Sequence, residues 1–314
     1  MIKNPPPSKI EISEIKTGNQ LYKRRKILIG GGALTSALLL KPLLTIAQTE
    51  HSDGVRKINF SGRQRMLIQR AGKFVCLASL SPKPIPLLAA AEETLALHQR
   101  TEAGLKDGDD ELGLEPEANA SVLKALTRAK NTFSPYGQTI RDAIERRVVE
   151  NEHLQQIAEF NGYALGEMDA AVKLIERVYK STELSEQRAM LINIAGRQRM
   201  FTQRLVLLLC LSRSGVVSND TRQKLFITMN RFSISLNILK RVTPEALQDA
   251  SSQPIIQRLS AVQGDWEALR ALISIARWTS EDQSIRNILQ ADKQAEELLK
   301  RMNEIVFLYE EAAS

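Results

Sequence analysis

The stretch SGRQRMLIQR at residues 61–70 returns almost unchanged as AGRQRMFTQR at residues 195–204. The same offset of 134 residues aligns identical residues at both ends of a longer unit: Asn59 with Asn193, Cys76 with Cys210, Leu165 with Leu299 and Met168 with Met302. Because the register is kept over more than a hundred residues, we infer that a whole domain has been duplicated. We therefore divide the chain into a leader at residues 1–47 and two repeats at residues 48–180 and 181–314.

The composition favours helix over sheet. Leu, Ala, Glu, Gln, Arg and Lys are abundant, whereas aromatic residues make up only 5% of the chain. Apolar spacing predicts four helices in each repeat, near residues 56–80, 86–106, 117–132 and 136–180, and near residues 184–214, 219–241, 245–277 and 281–312. Since four helices joined by short loops pack best as an antiparallel bundle, we expect an all-α protein built from two tandem antiparallel four-helix bundles, with their first helices able to pair.

Local signals set the predicted helix ends. Ser134-Pro135 and Thr243-Pro244-Glu245 each predict a helix start, with proline in the first turn. Ser214-Gly215 predicts a helix end, and Ser280 with Gln283 predicts a capping box for the last helix. Only Ser181-Thr182 weakens the pattern between the two repeats, so the last helix of the first could run on into the second.

Most of the net charge of +7 lies in the leader. Residues 1–47 contain eight Lys or Arg and two Asp or Glu, whereas residues 48–314 contain 35 and 34. Such a nearly neutral body lacks the basic surface that binding to a phosphate backbone requires. The charge distribution therefore argues against a nucleic-acid partner.

The leader has the features of an export signal. The sequence Lys23-Arg24-Arg25-Lys26 precedes an apolar run at residues 27–40, and Thr45-Ile46-Ala47 then resembles a cleavage site. A membrane anchor is the alternative, but Lys41-Pro42 ends the apolar run well short of the roughly 20 residues that a spanning helix needs. No later segment is long and apolar enough to span, so we expect a soluble protein exported by the twin-arginine route, periplasmic or otherwise outside the cytoplasm.

Each copy of the motif places a polar stripe along one helix face. With a seven-residue seam, the stripe in the first copy holds Gly62, Arg65, Gln69, Gly72, Cys76 and Ser79, and in the second Gly196, Arg199, Gln203, Val206, Cys210 and Arg213. The neighbouring stripe is apolar and is expected to face its own bundle. Gly62 and Gly196 remove side chains that would hold two backbones apart, so the polar stripe suits close contact with another helix.

If the two stripes pair, Arg65 and Arg199 approach each other across the seam. Two guanidinium charges about 6 Å apart repel by roughly 3 kcal/mol at an effective dielectric near 20, whereas an anion about 4 Å from each gains roughly 4 kcal/mol per contact before desolvation. Guanidinium also binds planar oxyanions through paired hydrogen bonds. We therefore predict an anion site formed by Gly62, Arg65, Gly196 and Arg199, which a small anion such as nitrate or nitrite would fit.

Arginines on helices are more often solvated, or paired with an acid of the same bundle. We expect this of the four motif arginines that lie off the seam, which are Arg63, Arg70, Arg197 and Arg204. The same alternative stays open for Arg65 and Arg199.

Residues 59–70 and 193–204 resemble the signature of the PilJ-type domain, the N-terminal region of type IV pili methyl-accepting chemotaxis transducers. They are also similar to the periplasmic domain of nitrate/nitrite sensor kinases. The family pattern is roughly Asn-x-Ala-Gly-x-x-Arg-Met-x-x-x-Arg, and both copies follow it except at Ser61. The resemblance implies a four-helix bundle whose first helices pair across a homodimer and bind one anion on the two-fold axis.

Carried over residue by residue, the glycine and arginine of the pattern correspond to Gly62 and Arg65, and to Gly196 and Arg199. The intervening Arg-Gln dipeptides add positive charge near the site, so the identity of the anion does not transfer with the pattern. Duplication lets one chain imitate the dimer, with a homodimer as the alternative.

In the paired arrangement that the resemblance implies, Cys76 and Cys210 fall at equivalent points of the seam. They would be close enough for a disulfide if the helices run parallel and in register. The alternative is that each cysteine is a small buried hydrophobic residue.

The resemblance implies an exported sensory or binding protein. It would capture a small oxyanion between its repeats and report it to a separate membrane-bound sensor, transducer or transporter. The alternative is a helical scaffold or interaction protein of a chemotaxis or pilus system that takes no small ligand.

Catalysis is not expected, and neither is a cofactor or a metal. His51, His98 and His153 are scattered, no metal-ligand spacing occurs, and neither cysteine has an evident base beside it. Glu152-His153 is expected to be a solvated helix face.

Overall fold

The computed structural model describes residues 41–180, 186–215, 219–247, 252–276 and 281–313. Within these ranges the chain forms eight α-helices and no β-strand beyond one isolated bridge between Asp109 and Leu114. The helices are α1 Lys41–Leu80, α2 Pro84–Asp107, α3 Ala120–Arg146, α4 Asn151–Tyr179, α5 Glu186–Arg213, α6 Asn219–Ala246, α7 Ser252–Ala276 and α8 Glu281–Ala313. Together they confirm the expected all-α tandem bundle.

Each repeat closes into a four-helix bundle. In the second, α5 packs on α6, α6 on α7 and α7 on α8, and α8 returns to α5. In the first, α2 packs on α3 and α3 on α4. Hydrogen bonds from α1 complete that ring, since Gln64 Nε2 donates to the His98 carbonyl of α2 at 2.9 Å, and the Ile68 carbonyl accepts from the Tyr136 hydroxyl of α3 at 2.9 Å.

The two motif helices, α1 and α5, lie at the centre of the molecule. Both are buried on nearly every face in their motif regions, which is typical of a helix enclosed by others rather than lying at the surface. The buried apolar residues of both repeats form one continuous cluster, and residues 42–314 form one compact unit. The pairing of α1 with α5 therefore joins the two bundles through a shared core.

Helices α1 and α5 run parallel and in register. Cys76 and Cys210 form a disulfide with their Cα atoms 6.1 Å apart. About two helical turns earlier, Arg204 Nη1 donates to Gln69 Oε1 at 3.2 Å. Because residues at equivalent or nearly equivalent motif positions meet along the pair, the first helices imitate a symmetric dimer within one chain.

Two predicted helix starts are wrong, because α3 continues through Pro135 and α6 continues through Pro244. Proline costs a helix one backbone hydrogen bond, but Phe133 and Tyr136 beside Pro135 are buried in the core, and this packing outweighs the loss. The break falls instead after Arg146, where Arg147 adopts a left-handed conformation with φ of 55° and ends α3.

Several sequence expectations lie outside the described residues. These are the twin-arginine stretch at residues 23–26, the connection at Ser181-Thr182 and the Ser280 cap, while residues 45–47 lie within the bounds of α1. The end predicted at Ser214-Gly215 agrees with the structure, in which α5 ends at Arg213 and Gly215 has a φ of 73°. Among the described residues, no helix combines the length and the apolar character needed to cross a membrane.

Candidate functional site

The two seam arginines are buried and interlock with the opposite repeat. Arg65 Nη2 donates to Asn193 Oδ1 at 2.8 Å, and Arg199 Nη2 donates to Asn59 Oδ1 at 2.7 Å. The side chain of Arg65 is fully buried, and Arg199 is 3% exposed. Since the asparagines are equivalent positions of the repeat, the two hydrogen bonds are related by the pseudo-two-fold symmetry of the α1–α5 pair.

The guanidinium groups of Arg65 and Arg199 face each other beside the motif glycines. A Cβ placed on Gly62 would lie 3.4 Å from Arg65 Nη2 and 3.8 Å from Arg199 Nη2. A Cβ on Gly196 would lie 3.3 Å from Arg199 Nη2 and 3.8 Å from Arg65 Nη2. The structure thus brings together all four predicted site residues. The glycines were expected to make room for the backbone of the partner helix. They make room instead for the two guanidinium groups.

A second layer of carboxylates supports the asparagines. Asn193 Nδ2 donates to the Glu176 carboxylate of α4, and Asn59 bonds in the same way to Glu310 of α8. Burial raises the pKa of both glutamates, although the hydrogen bonds and the nearby arginines oppose the shift. Each seam arginine is therefore oriented by an asparagine that a buried acid holds in place.

The symmetry does not extend to the second contact of each seam arginine, which is made through Nη1, because the two repeats carry different residues there. Arg65 Nη1 forms an ion pair of 2.7 Å with Asp169 of α4. At the equivalent position of α8 stands Asn303, whose Oδ1 accepts a long hydrogen bond of 3.4 Å from Arg199 Nη1. Arg65 thus meets a carboxylate where Arg199 meets a neutral amide.

The electrostatics follow from this difference. Burial lowers the pKa of Arg199 to about 9, while the Glu310 carboxylate opposes the shift and the charges of Arg63 and Arg65 add to it. Burial also lowers the pKa of Arg65, but there Asp169 is the main opposing group. The groups around Arg199 consequently carry less negative charge than those around Arg65.

Unused hydrogen-bond donors remain at the seam. The Nε atoms of both Arg65 and Arg199 are buried without a hydrogen-bond partner among the described residues, as is the Nε2 of Gln69. A guanidinium presents its donors in a fixed planar fork that matches an oxyanion. Geometrically, the seam can therefore donate further hydrogen bonds to a planar anion.

A cleft of about 750 Å³ lies beside Arg199. Its walls come from α1, α2, α8 and the turn after α2, and its lining includes Asn59, Arg199, Asn303 and Glu310. Arg65 does not line this cleft. The Arg199 half of the seam is accordingly the half that an entering ligand would meet.

The motif arginines off the seam were expected to be solvated or paired with an acid of their own bundle, and two of them are not. Arg70 pairs at 2.8 Å with Glu296, an acid of the opposite repeat rather than of its own bundle. Arg204 reaches across to Gln69 and is also bonded at 2.9 Å to Asn161 of α4. Because α1 and α5 are enclosed on all sides, even their outward motif positions meet the other repeat.

Gly72 also departs from its predicted role. A Cβ at this position would overlap the hydroxyl group of Tyr136, which belongs to α3 of the same bundle. Gly72 therefore makes room for an aromatic side chain in its own core and not for α5. The contact between α1 and α5 nevertheless continues past Gly72, because Cys76, four residues later, is bonded to Cys210 of α5.

Sequence reasoning missed the residues that surround the arginines. Asn59 and Asn193 were visible as repeat matches, and the offset of 134 also aligns Glu176 with Glu310. These identities could have marked the outer acids as part of the repeated site. The difference between Asp169 and Asn303 could not be interpreted from the sequence, because its effect depends on the arginine that each residue contacts.

The comparisons with known proteins agree with this architecture. The PilJ family, described as the N-terminal region of type IV pili methyl-accepting chemotaxis transducers, matches residues 46–157 and again residues 182–300. No curated protein and no solved structure matches the chain. The two matches cover most of the chain and reproduce the duplication seen in both sequence and structure. The chain therefore belongs to the PilJ family and carries two tandem copies of its chemotaxis-transducer domain.

Proposed function

We propose that this chain is an exported sensory protein that captures a small planar oxyanion, nitrate or nitrite, at the seam between its repeats. The anion would sit beside Gly62 and Gly196 between Arg65 and Arg199, and a separate membrane-bound sensor, transducer or transporter would receive the signal. The observation that carries the proposal is the approach of two buried guanidinium groups at the centre of the molecule.

The cost of burying these charges supports an anionic ligand. A buried charge is tolerated when it is paired and hydrogen-bonded, and like charges at this range repel. Arg65 has the Asp169 carboxylate, whereas Arg199 has the Asn303 amide at 3.4 Å. An oxyanion at the Arg199 side would supply what Asp169 supplies on the other side.

The geometry also indicates how the anion would be held. Arg199 keeps its Nε donor without a partner, and its long bond to Asn303 can be exchanged for a shorter one to an oxyanion. Because the cleft beside α1, α2 and α8 reaches Arg199, we assign the entry path to it. Occupation would draw α1, α5 and α8 together, which is a change that a partner protein could detect.

The disulfide supports the proposed location. Disulfides form and persist in oxidising compartments, and Cys76–Cys210 ties the two repeats together in the core. Together with the twin-arginine sequence this favours the periplasm, with residues 1–47 as the leader and 48–180 and 181–314 as the repeats. The proposed role is binding and signalling, and it requires no catalytic residue.

Thermal unfolding of the purified chain with nitrate, nitrite, sulfate or chloride tests the proposal. A ligand that binds only the folded state raises the melting temperature. We expect nitrate or nitrite to raise it, and we expect Arg199→Ala and Arg65→Ala to abolish the response while keeping the helical circular dichroism signal. Arg241→Ala, an exposed arginine of α6, is the matched control.

Two results would overturn the seam site. One is a melting temperature that none of the planar oxyanions changes, which would favour the scaffold role instead. The other is an unchanged response in both arginine variants, since the anion would then be bound elsewhere.

A further inference from the structure

A second cleft, with a volume of about 540 Å³, lies between α4 of the first repeat and α5 and α6 of the second. It is the counterpart of the cleft beside Arg199, because its lining residues on α5 repeat those of α1 at the offset of 134. Its lining, like that of the other cleft, includes four cationic side chains, but it has only one acid where the other has four. The cations are Lys173, Arg197, Arg204 and Arg231.

The two clefts differ in the residue that faces the last arginine of the motif. In the first repeat, Arg70 is paired at 2.8 Å with Glu296 of α8. In the second, the equivalent arginine is Arg204, and the position equivalent to Glu296 is Gly162 of α4. A Cβ added to Gly162 would have nothing within 4 Å, so there is open space where the other repeat has a carboxylate.

Arg204 is nevertheless largely buried and is held in a fixed position. Its Nη1 donates to Asn161 Oδ1 at 2.9 Å and to Gln69 Oε1 at 3.2 Å, both of which are neutral amides. Burial lowers the pKa of Arg204, and the charge of the neighbouring Arg231 acts in the same direction. Arg204 and Arg231 thus line the same cleft, and the bonded neighbours of Arg204 are amides rather than acids.

The lining contains one acid, Asp169, and it is already engaged. Its carboxylate pairs with Arg65 at 2.7 Å and with Lys173 at 2.8 Å. Arg197, which also lines the cleft, has a buried Nε atom without a hydrogen-bond partner. The positive charge of this cleft is consequently balanced far less than that of its counterpart, whose lining includes Glu93, Asp110, Glu111 and Glu310.

The remaining walls of the cleft are apolar. Met200 and Phe201 form the buried floor, and Ile234 of α6 borders the cleft with 60% of its surface exposed. An inorganic anion would bind the arginines but leave the exposed apolar surface, chiefly that of Ile234, in contact with water. Binding of an apolar group against that surface would remove it from water, which is favourable.

We propose that this cleft is a second binding site, distinct from the seam, for a small organic anion with at least two negative charges. Its phosphate or carboxylate head would lie beside Gly162 between Arg204 and Arg231, in the place equivalent to that of the Glu296 carboxylate beside Arg70. Its apolar part would lie on Met200, Phe201 and Ile234. This site goes beyond the proposed function, because it shares none of the four seam residues.

Isothermal titration calorimetry of the full chain with phenyl phosphate, phthalate and inorganic phosphate tests this site. We expect phenyl phosphate or phthalate to bind at least about tenfold more tightly than inorganic phosphate, because only the organic anions cover the apolar walls. The stronger of the two identifies the head group as phosphate or carboxylate. Binding of neither compound, or equally tight binding of inorganic phosphate, would overturn the proposal.

Two variants and one control place the binding in the cleft. Arg231→Gln removes an exposed cation, and Gly162→Glu introduces beside Arg204 the carboxylate that Glu296 supplies beside Arg70. We expect each to weaken binding of the organic anion at least about tenfold, and Gly162→Glu also to raise the melting temperature. Arg241→Gln on the same helix α6 should bind as the unaltered chain does. Unchanged binding in both test variants would show that the anion binds elsewhere.

The outcome is independent of the seam site. Nitrate added at saturation should leave binding of the organic anion intact, and the nitrate response of the melting temperature should survive Arg231→Gln. If the seam proposal is wrong, nitrate will not raise the melting temperature, but the cleft variants will still differ in their binding of the organic anion. If the cleft proposal is wrong, the cleft variants will bind alike, but nitrate will still raise the melting temperature.

Discussion

Asp169 and Asn303 stand at the same position of the two repeats, yet Asp169 forms an ion pair of 2.7 Å with Arg65 and Asn303 only a hydrogen bond of 3.4 Å with Arg199. In an otherwise symmetric seam, one arginine has an internal carboxylate and the other an amide. Asp169 is partly exposed, and the bonds and charges of Lys173 and Arg65 lower its pKa although burial acts against them. It therefore stays ionised and acts as a permanent internal anion.

Replacing Asn303 with aspartate should close the anion site. The new carboxylate would pair with Arg199 as Asp169 does with Arg65, so the ligand would compete with a tethered anion. We expect Asn303→Asp to raise the melting temperature without nitrate and to remove most of the nitrate response. Thermal unfolding at several nitrate concentrations measures both effects.

The opposite exchange at the first repeat is the matched control. Asp169→Asn removes the internal anion from Arg65 and should lower stability by about 3 kcal/mol, as expected for a buried charge that loses its partner. Nitrate should restore more stability to this variant than to the unaltered chain. Equal nitrate responses in Asn303→Asp and Asp169→Asn would contradict the asymmetric site.

Adding a methyl group at Gly196 should disturb the arginine pair. The Cβ of Gly196→Ala would lie 3.3 Å from Arg199 Nη2, which is tighter than ordinary contact, so the guanidinium must shift. We expect nitrate to bind about tenfold more weakly, which corresponds to about 1.4 kcal/mol. Titration of the melting temperature with nitrate gives the apparent affinity.

Gly264 of α7 provides the comparison for Gly196→Ala. A Cβ there meets nothing within 4 Å, so Gly264→Ala should show the gain of about 0.5–1 kcal/mol that alanine brings to a helix. Gly196→Ala should gain less than this, or lose stability. If both variants gained equally and bound nitrate normally, the motif glycine would have no part in the site.

Reduction of the disulfide should destabilise the whole chain. Cys76 and Cys210 close a loop with a sequence separation of 134, for which the chain-entropy relation gives about 5 kcal/mol. Denaturant unfolding with and without reductant should show this loss, and Cys76→Ala/Cys210→Ala should match the reduced chain. A non-reducing denaturing gel should show a monomer, because a disulfide-linked dimer would mean that the repeats pair between two chains.

Acid should weaken the fold through His98. Its ring is 4% exposed and stacks on Phe133 with centroids 4.0 Å apart, and burial lowers its pKa to about 3. Between pH 6.5 and 3 the unfolded chain binds a proton that the folded chain does not, so stability falls as pH drops, by up to about 1.4 kcal/mol per unit. Denaturant unfolding between pH 4.5 and 6.5 measures the slope.

Removal of the imidazole tests the assignment to His98. His98→Gln should flatten the slope over this pH range even if it lowers the overall stability. His153→Gln serves as the comparison, since that histidine is equally buried, contrary to the solvated face expected from the sequence, but its ring bonds Asp142 at 2.8 Å. The assignment fails if the His98 variant keeps the slope of the unaltered chain.

Helical periodicity, the offset of 134 residues and the glycine–arginine motif were sufficient to predict two four-helix bundles joined by their motif helices. These features are local or repetitive, so they can be recognised in the sequence without knowing which helices pack together. Helix ends were less predictable: Pro135 and Pro244 look like starts in the sequence, but core packing carries α3 and α6 past both.

Tertiary structure alone decided the electrostatic character of the site. Arg65 and Arg199 look equivalent in the sequence, and so do Arg70 and Arg204. Their difference comes from Asp169 against Asn303 and from Glu296 against Gly162. These residues lie between 42 and 226 positions away in sequence from the arginines they face. Coulomb energy and desolvation depend on distances in space, and those distances exist only once α4 and α8 have packed against α1 and α5.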